Sequence, residues 1–300
     1  MGPTASGKTD LAFAIADKFP CDIISVDSVM LYRGLDIGSA KPDVETLKKY
    51  PHHLVDILEP NQRYSAANFR DDALRLIKES HGNNKIPLLV GGTLLYFGAL
   101  LRGLSKMPSA DPEVRKKISD LAEEKDWEFV HARLAEVDSL AAERIHPNDP
   151  QRIQRAMEVY ELTGRPISDW HAESERNELP FKPLKFALIP EDRARLHKLI
   201  EKRFYLMLEQ GFLEEAQQLF LCETLHEDLP SMRSVGYRQA WKYFAGEYDV
   251  TMMREKAIIA TRQLAKRQHT WLRSEASLST ISAEKPNIHD VHQQIQSYLA

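Results

Sequence analysis

The sequence has few cysteines, no long hydrophobic run and no large net charge, and each absence excludes a class of protein. With only Cys21 and Cys222 among 300 residues, the chain has neither a disulfide framework nor the paired Cys/His spacing of a zinc site. The longest apolar run, Leu94 to Leu101, is too short for a bilayer, which needs roughly 20 residues. No basic segment followed by an apolar one opens the chain. We therefore expect a cytoplasmic protein with no membrane partner.

The overall composition is that of a globular protein. Apolar residues make up 43% and charged residues 28% of the chain, which excludes a disordered or fibrous protein. Forty Lys and Arg stand against 44 Asp and Glu, which gives a net charge of −4. The chain is therefore not a wholesale polycation, although a local basic surface is still allowed.

The strongest chemical signal lies in the first nine residues, which match the pattern G-x-x-x-x-G-K-[ST]. Consecutive backbone N–H groups of such a loop face one anion, at the positive end of the helix that follows. Lys8 adds a point charge for terminal phosphate oxygens, and Thr9 offers a hydroxyl to a magnesium ion. The residues predicted to bind a diphosphate or nucleotide are Gly2, Pro3, Thr4, Ala5, Ser6, Gly7, Lys8 and Thr9.

The surroundings of this loop fit the pattern only in part. Apolar spacing predicts the expected helix, from Asp10 to Phe19. A phosphate-binding loop normally follows a buried strand, but here only Met1 precedes Gly2. Either the gene product begins before Met1, or the sheet lacks this strand and we expect the loop to be less firmly anchored. A chance glycine-rich loop is the alternative interpretation.

Two further segments predict a parallel sheet with covering helices. Asp22 to Val26 is typical of a short buried strand, and Asp27 follows at its carboxyl end, where open α/β sheets bind ligands. A second strand, Ile86 to Val90, ends in Gly91-Gly92-Thr93, and a helix capped by Ser65 runs between the two strands. Asp27 is a candidate base or metal partner, and a simple turn carboxylate is the equal alternative.

The chain changes character after Gly103. Asp111-Pro112 is a helix start, and from there to Pro183 the pattern is helical and acidic, with 11 Lys or Arg against 17 Asp or Glu. A strand at Lys185 to Ile189 returns the chain to the sheet, and the polar tail after Ser274 is expected to be peripheral. We predict a catalytic core in residues 1–106, a helical insertion in 107–183 and a return to the core in 184–300.

One helix is unusually basic. Arg254 to Arg273 contains six basic residues and one acid, with Arg262, Lys266 and Arg273 near one face. A solvated helix face is the ordinary explanation. Two other basic and amide-rich blocks, Gln151–Arg155 and Arg233–Arg238, favour a surface for a phosphate backbone and bases instead.

Together these motifs resemble the tRNA dimethylallyltransferase family from Gly2 to about Arg273. The absence of a Cys/His zinc-finger extension is similar to the bacterial form, whereas the missing strand before the loop departs from the family. The segments that carry the resemblance are GPTASGKT, Asp27-Ser28, Tyr32–Gly38, Ala40–Pro42, Pro51–Asp56, Tyr64–Ala66, Gly91–Tyr96, Asn148–Arg155, Met232–Arg238 and Thr261–Gln268.

The resemblance implies a P-loop NTPase-like α/β core with a mainly helical insertion that contacts the tRNA anticodon stem–loop. It implies transfer of a dimethylallyl group from dimethylallyl diphosphate to the exocyclic amine of the adenosine 3′ to the anticodon, by a monomer that uses Mg²⁺. The implied catalytic residues are Asp27 as general base, Lys8 and Thr9 on the diphosphate, with Thr9 also at the metal, and Arg203 as a second diphosphate clamp. Sequence alone would make Arg203 a helix-surface arginine.

The family pattern also places a set of residues against tRNA. The set is Asp27, Ser28, Val29, Met30, Thr93, Arg115, Gln151, Arg152, Ile153, Gln154, Arg155, Arg233, Ser234, Val235, Gly236, Tyr237, Arg238, Lys266, Arg267, Gln268 and Arg273. A small-molecule kinase or ATPase would share the loop and Asp27, and a non-catalytic RNA-binding protein would share the basic blocks. The basic blocks argue against the first class. Retention of Lys8, Thr9 and Asp27 argues against the second.

Overall fold

The chain forms two compact units, of which the first comprises Met1–Leu100 and Pro180–Ala300 and the second Leu101–Leu179. The structure is a computed structural model that describes residues 1–105, 107–173, 179 and 181–299. Part of the predicted insertion, residues 174–178 and 180, lies outside the described residues. None of the described helices is both long and apolar enough to cross a membrane.

A parallel three-stranded sheet in the order β2-β1-β3 forms one part of the first unit. Its strands are β1 (Cys21–Val26), β2 (His52–His53) and β3 (Ile86–Gly91). Val26 of β1 lies opposite Gly91 of β3, so both strands end at the same edge of the sheet. This register brings the segments after the two strands together, as the sequence predicts.

The strand at the return of the chain pairs differently from the prediction. β4 (Phe186–Ile189) forms a separate two-stranded parallel sheet with β5 (Ser279–Ser282). Met1 lies beside β4, because its amino group donates to the carbonyl of Phe186 over 2.8 Å and its carbonyl accepts from Leu188 over 3.0 Å. The residue before the loop is therefore held by backbone hydrogen bonds, which provide an anchor the sequence does not reveal.

Helices cover these sheets. The Ser65 hydroxyl accepts from the backbone N–H of Asn68, whose side chain accepts in turn from Ser65, and this capping box explains where α3 begins. The helices of the first unit, of which α4 has its last two residues in the second, are α1 (Lys8–Ala16), α2 (Val44–Lys49), α3 (Ala66–Gly82), α4 (Leu94–Arg102), α10 (Arg193–Glu209), α11 (Phe212–Phe220), α12 (Tyr237–Phe244), α13 (Val250–Ser274) and α14 (Ile288–Leu299).

The tail after Ser274 belongs to the core, so the prediction of a peripheral tail was wrong. Val291 and Ile295 of α14 are buried in one cluster with Leu11, Ile15 and Leu188. Their spacing of four residues places both on one helix face. The polar residues between them mask this apolar stripe in the sequence.

The second unit is helical over its described residues, as the acidic segment predicts. Its core includes the fully buried Val130, Leu134 and Ile153. Asp111 caps its first helix with two hydrogen bonds to backbone N–H groups. Its helices are α5 (Pro112–Lys125), α6 (Trp127–Val137), α7 (Ser139–Arg144), α8 (Pro150–Thr163) and α9 (Ile167–Ala172).

Candidate functional site

The glycine-rich loop curls immediately before α1, as the pattern predicts. Gly7 adopts a φ of 83° and α1 begins at the next residue, Lys8, two residues earlier than the predicted helix. Ala5 also has a positive φ, of 60°, which an alanine adopts only at a cost and which is typical of functional sites. The loop therefore lies at a helix N-terminus, where unpaired backbone N–H groups favour an anion.

Side chains of the loop add to this anion site. The Lys8 ammonium donates to the carbonyl of Pro3 over 2.6 Å, so it folds back across the loop. The Ser6 hydroxyl is buried, and no hydrogen-bond partner for it is found among the described residues. Thr9 is exposed at the start of the helix. A buried hydroxyl with no partner among the described residues, in a loop that also carries an ammonium group, fits a ligand with phosphate oxygens.

Three charged side chains from different elements lie near enough to the loop for their charges to influence one another. Burial and the Arg203 guanidinium lower the pKa of Lys8 to about 8, and the Asp27 carboxylate opposes the shift. Burial likewise lowers the pKa of Arg203, again against the effect of Asp27. Arg203 therefore faces the loop rather than solvent alone. Two cations and one carboxylate leave this site with an excess of positive charge that suits a diphosphate.

Asp27 shapes the turn after β1, as the alternative interpretation of this residue predicts. Its Oδ1 accepts from the backbone N–H groups of Val29, over 2.9 Å, and Met30, over 3.3 Å. The N–H of Ser28 donates to the Thr93 hydroxyl over 3.0 Å. Both bonds of the turn use Oδ1, so neither of them occupies Oδ2.

The residues predicted to contact tRNA fall into three groups of exposure. Ser28, Gln151, Arg152, Arg233, Arg238, Lys266, Arg267 and Arg273 are exposed. Asp27, Val29, Met30, Thr93, Arg115, Gln154, Arg155, Ser234 and Val235 are half-buried. Ile153, Gly236, Tyr237 and Gln268 are buried. We therefore no longer place the buried four on the tRNA-contacting surface, since a continuous sequence block on a helix necessarily turns some positions inward.

The basic residues of helix α13 have two different roles. Arg262 is half-buried and donates to Glu201 of α10 over 2.8 Å, so it stabilises the packing of two helices. Lys266, Arg267 and Arg273 remain exposed. Of the three residues predicted for one basic face, Lys266 and Arg273 are therefore exposed, whereas Arg262 is paired with Glu201.

The block Arg233–Arg238 is tied to a distant loop by one carboxylate that the sequence analysis missed. Glu215 of α11 accepts from the backbone N–H groups of Asp36, Ile37 and Gly38 over 2.8–3.1 Å. It also accepts from the Tyr237 hydroxyl over 2.5 Å. The partners lie 22 to 179 residues away in sequence, and no local pattern indicates such a contact.

Two exposed arginines of this block, Arg233 and Arg238, lie near enough for the charge of one to act on the other. Burial and the positive charge of Arg233 both lower the pKa of Arg238. Like charges held together in this way are relieved by an anionic ligand. The pair is therefore suited to a phosphate group.

In the second unit, one buried carboxylate holds two of the predicted tRNA-contacting arginines. Glu158 is fully buried and accepts from Arg115 over 2.9 and 3.2 Å and from Arg155 over 2.7 Å. Gln154 donates to the carbonyl of Arg115 over 3.2 Å. Arg115, whose assignment rested on family pattern alone, is thus fixed beside the block Gln151–Arg155.

Comparison with known proteins gives a consistent picture. The family described as IPP transferase matches residues 30–275. A tRNA dimethylallyltransferase of Thioalkalivibrio sulfidiphilus is 56% identical over 285 residues, which cover 95% of this chain and 89% of the relative. The full-length tRNA isopentenylpyrophosphate transferase of Bacillus halodurans has a TM-score of 0.72 at 32% identity, over 99% of this chain and 94% of that one.

A eukaryotic dimethylallyltransferase solved acting on tRNA has a TM-score of 0.78 at 26% identity, over 94% of this chain and 72% of that one. The family match and the 56% identical relative both extend over most of the chain. The chain therefore belongs to the IPP transferase family, the family of tRNA dimethylallyltransferases that its motifs resemble.

Proposed function

We propose that the chain transfers a dimethylallyl group from dimethylallyl diphosphate to the N6 amine of the adenosine 3′-adjacent to the anticodon of tRNA. The carbon–oxygen bond to diphosphate breaks, a carbon–nitrogen bond forms, and the amine loses one proton. The observation that carries this assignment is the loop at the start of α1, across which Lys8 folds under the electrostatic influence of Arg203 and Asp27. Two cations suited to a diphosphate and a candidate proton acceptor near them support this assignment.

The loop and its two cations hold the leaving group. The backbone N–H groups at the start of α1, the Lys8 ammonium and the Arg203 guanidinium neutralise charge that develops on the diphosphate as it departs. The Thr9 hydroxyl is an exposed oxygen donor of the kind Mg²⁺ accepts beside substrate phosphates. When bound, Mg²⁺ supplies further charge neutralisation to the diphosphate. These residues fit that ion.

Asp27 acts on the nucleophile. An adenine amine is a weak nucleophile and must release a proton as the new bond forms. The Asp27 carboxylate, fixed by its Val29 and Met30 hydrogen bonds, accepts that proton through its other oxygen. A positioned base of this kind contributes ~10²–10⁴-fold to the rate.

The tRNA is held by phosphate contacts, and its reacting base is taken out of the stack. Adenine cannot reach Asp27 while stacked, so it is flipped into the site at a cost of a few kcal/mol. The bases of the anticodon loop are accessible because the loop is single-stranded. The exposed Arg233, Arg238, Lys266, Arg267 and Arg273 contact the tRNA backbone. One chain carries all of these groups, so a monomer suffices, and we propose that it acts in the cytoplasm.

The test compares two labelled donors. The protein is incubated with unmodified tRNA and either dimethylallyl diphosphate labelled in the prenyl group or ATP labelled in the terminal phosphate. We expect label in tRNA from the first donor only. Release of phosphate from ATP without prenylated tRNA would contradict the proposal and assign the loop to a kinase or ATPase.

A further inference from the structure

Gln268 of α13 joins three separate segments of the first unit. Its Oε1 accepts from the backbone N–H of Thr4 over 2.9 Å. Its Nε2 donates to the carbonyl of Gly92 over 2.8 Å. Thr4 lies in the phosphate-binding loop and Gly92 in the turn after β3, which are 264 and 176 residues away in sequence. One buried side chain therefore connects the basic helix to both sides of the candidate active site.

An amide is chemically matched to this position. One end must accept from an N–H group and the other must donate to a carbonyl, and glutamine carries both functions at a fixed separation. Both polar ends are paired inside the protein, and only 7% of the residue is exposed. Gln268 is therefore not part of the exposed surface that is predicted to contact tRNA.

The turn after β3, which contains Gly92, has room for the Gln268 amide only because position 92 carries no side chain. A Cβ atom at Gly92 would lie 2.6 Å from the Gln268 Nε2 and 3.3 Å from the carbonyl of Gly2. No side chain fits there without displacing the amide. The close approach of Gln268 therefore depends on glycine at position 92.

The connection continues to the candidate base. Thr93 follows Gly92, and its hydroxyl accepts from the backbone N–H of Ser28, the residue after Asp27. Its own N–H donates to the carbonyl of Val26, the residue before Asp27. A displacement of the Gly92 turn is therefore transmitted to the Asp27 turn through two hydrogen bonds.

We propose that Gln268 is a positioning residue that holds the phosphate-binding loop in register with the turn carrying Asp27. The proposal rests on the proposed function of that loop as the diphosphate site. This role replaces the predicted contact of Gln268 with tRNA. The exposed neighbours Lys266 and Arg267 make the tRNA contacts instead. Loss of Gln268 weakens donor binding and slows transfer, and it leaves tRNA affinity unchanged.

The test uses Gln268→Met, which keeps the length of the side chain and removes both hydrogen bonds. Gln263→Met is the matched control, because Gln263 is an exposed glutamine on the same helix. The measurements are the KM for dimethylallyl diphosphate, kcat, and the separate Kd values for inorganic pyrophosphate and unmodified tRNA. We expect Gln268→Met to raise the donor KM and the pyrophosphate Kd about tenfold, the effect of losing a net hydrogen bond or two. The tRNA Kd should not change, and Gln263→Met should match wild type throughout.

Gln268→Glu separates positioning from a merely structural role. A protonated carboxyl group, like the amide, both accepts and donates, whereas a carboxylate only accepts. Burial favours the protonated form. The donor KM of Gln268→Glu, relative to wild type at the same pH, should therefore recover as the pH is lowered.

Three outcomes would overturn the proposal. These are a weakened tRNA Kd with an unchanged pyrophosphate Kd, no change in either Kd, or a Gln268→Glu variant whose relative KM is independent of pH. If Gln268→Met does not fold, the pH profile of Gln268→Glu decides. Wild-type protein that binds no pyrophosphate would instead contradict the proposed function, and the positioning role with it.

Discussion

The Glu158 carboxylate accepts two hydrogen bonds from Arg115, over 2.9 and 3.2 Å, at a position with no solvent exposure. Burial on its own would raise the pKa of Glu158, but the hydrogen bonds from Arg115 and Arg155 lower it below the ordinary value of 4.5. The ionised carboxylate therefore stabilises the folded state above about pH 4.5. This contribution is lost as the pH falls through the lowered pKa.

Glu158→Gln should destabilise the helical unit by about 3 kcal/mol, because it leaves two guanidinium groups without their buried counter-charge. Denaturant unfolding followed by circular dichroism at pH 7 measures the effect. Glu161→Gln is the matched control, since Glu161 is exposed on the same helix, and it should unfold like wild type. Equal stability of the two variants would show that the Glu158 cluster does not hold the unit together.

The lowered pKa of Lys8, about 8, predicts how donor affinity depends on pH. Below pH 8 the ammonium is charged and contacts the diphosphate. Above it the free protein loses this charge, so binding must take up a proton and the affinity falls. The donor itself does not titrate here, because a terminal phosphate has its second pKa near 6. The Kd of a non-reactive dimethylallyl diphosphate analogue, measured from pH 7 to 10, should rise with pH.

Lys8→Arg supplies the comparison for this profile. An arginine keeps its charge across the whole range, so the pH dependence above 8 should disappear even if the affinity is lower at every pH. A wild-type Kd that is constant from pH 7 to 10 would mean that Lys8 does not bind the donor through its charge.

A substitution at Gly38 tests whether the contact between the segment 36–38 and the block Arg233–Arg238 stabilises the fold. A Cβ atom at Gly38 would lie 2.5 Å from Phe212 Cε2 and 2.6 Å from Tyr237 Cζ. Gly38→Ala should therefore lower the free energy of unfolding by about 1–3 kcal/mol, as overpacked cores do, and weaken tRNA binding. Gly82→Ala is the control, because nothing lies within 4 Å of its added Cβ. A stable Gly38→Ala variant with normal tRNA affinity would contradict this contact.

Lys266 tests the basic face of α13. If its ammonium contacts a phosphate of single-stranded or duplex RNA, Lys266→Ala lowers the slope of log K against log salt by about 0.7–0.9. Titration of tRNA binding between low and moderate salt measures the slope. Lys18→Ala removes an exposed charge outside the predicted surface and should leave the slope unchanged. An unaltered slope for Lys266→Ala would mean that this helix face is exposed to solvent and does not contact tRNA.

Features encoded by neighbouring residues were predictable from the sequence. The helix α8 has the predicted bounds, Pro150 to Thr163, because Asp149 caps it and Gly164 ends it in a left-handed conformation. The position of Asp27 at a sheet edge beside the Gly92-Thr93 turn also follows from the strand pattern, and the β1–β3 register confirms it.

Features that depend on distant contacts were not predictable. In the sequence, Gln268 is one of several polar residues on a basic helix. Only the fold shows that its amide forms hydrogen bonds with Thr4 and Gly92. Glu215 gives no local sign that it will bind three backbone N–H groups of the segment 36–38. The sequence alone makes Arg203 a helix-surface residue, whereas in the fold its charge acts on Lys8.

The most direct test of the account is the rate of prenyl transfer by Asp27→Asn. Asparagine keeps the side-chain oxygen that accepts from Val29 and Met30, so the turn is retained while the proton acceptor is removed. In a single turnover with saturating dimethylallyl diphosphate and tRNA, we predict a rate about 10²-fold lower or more, with the tRNA Kd unchanged. A transfer rate equal to that of wild type would contradict the role of Asp27 as the base.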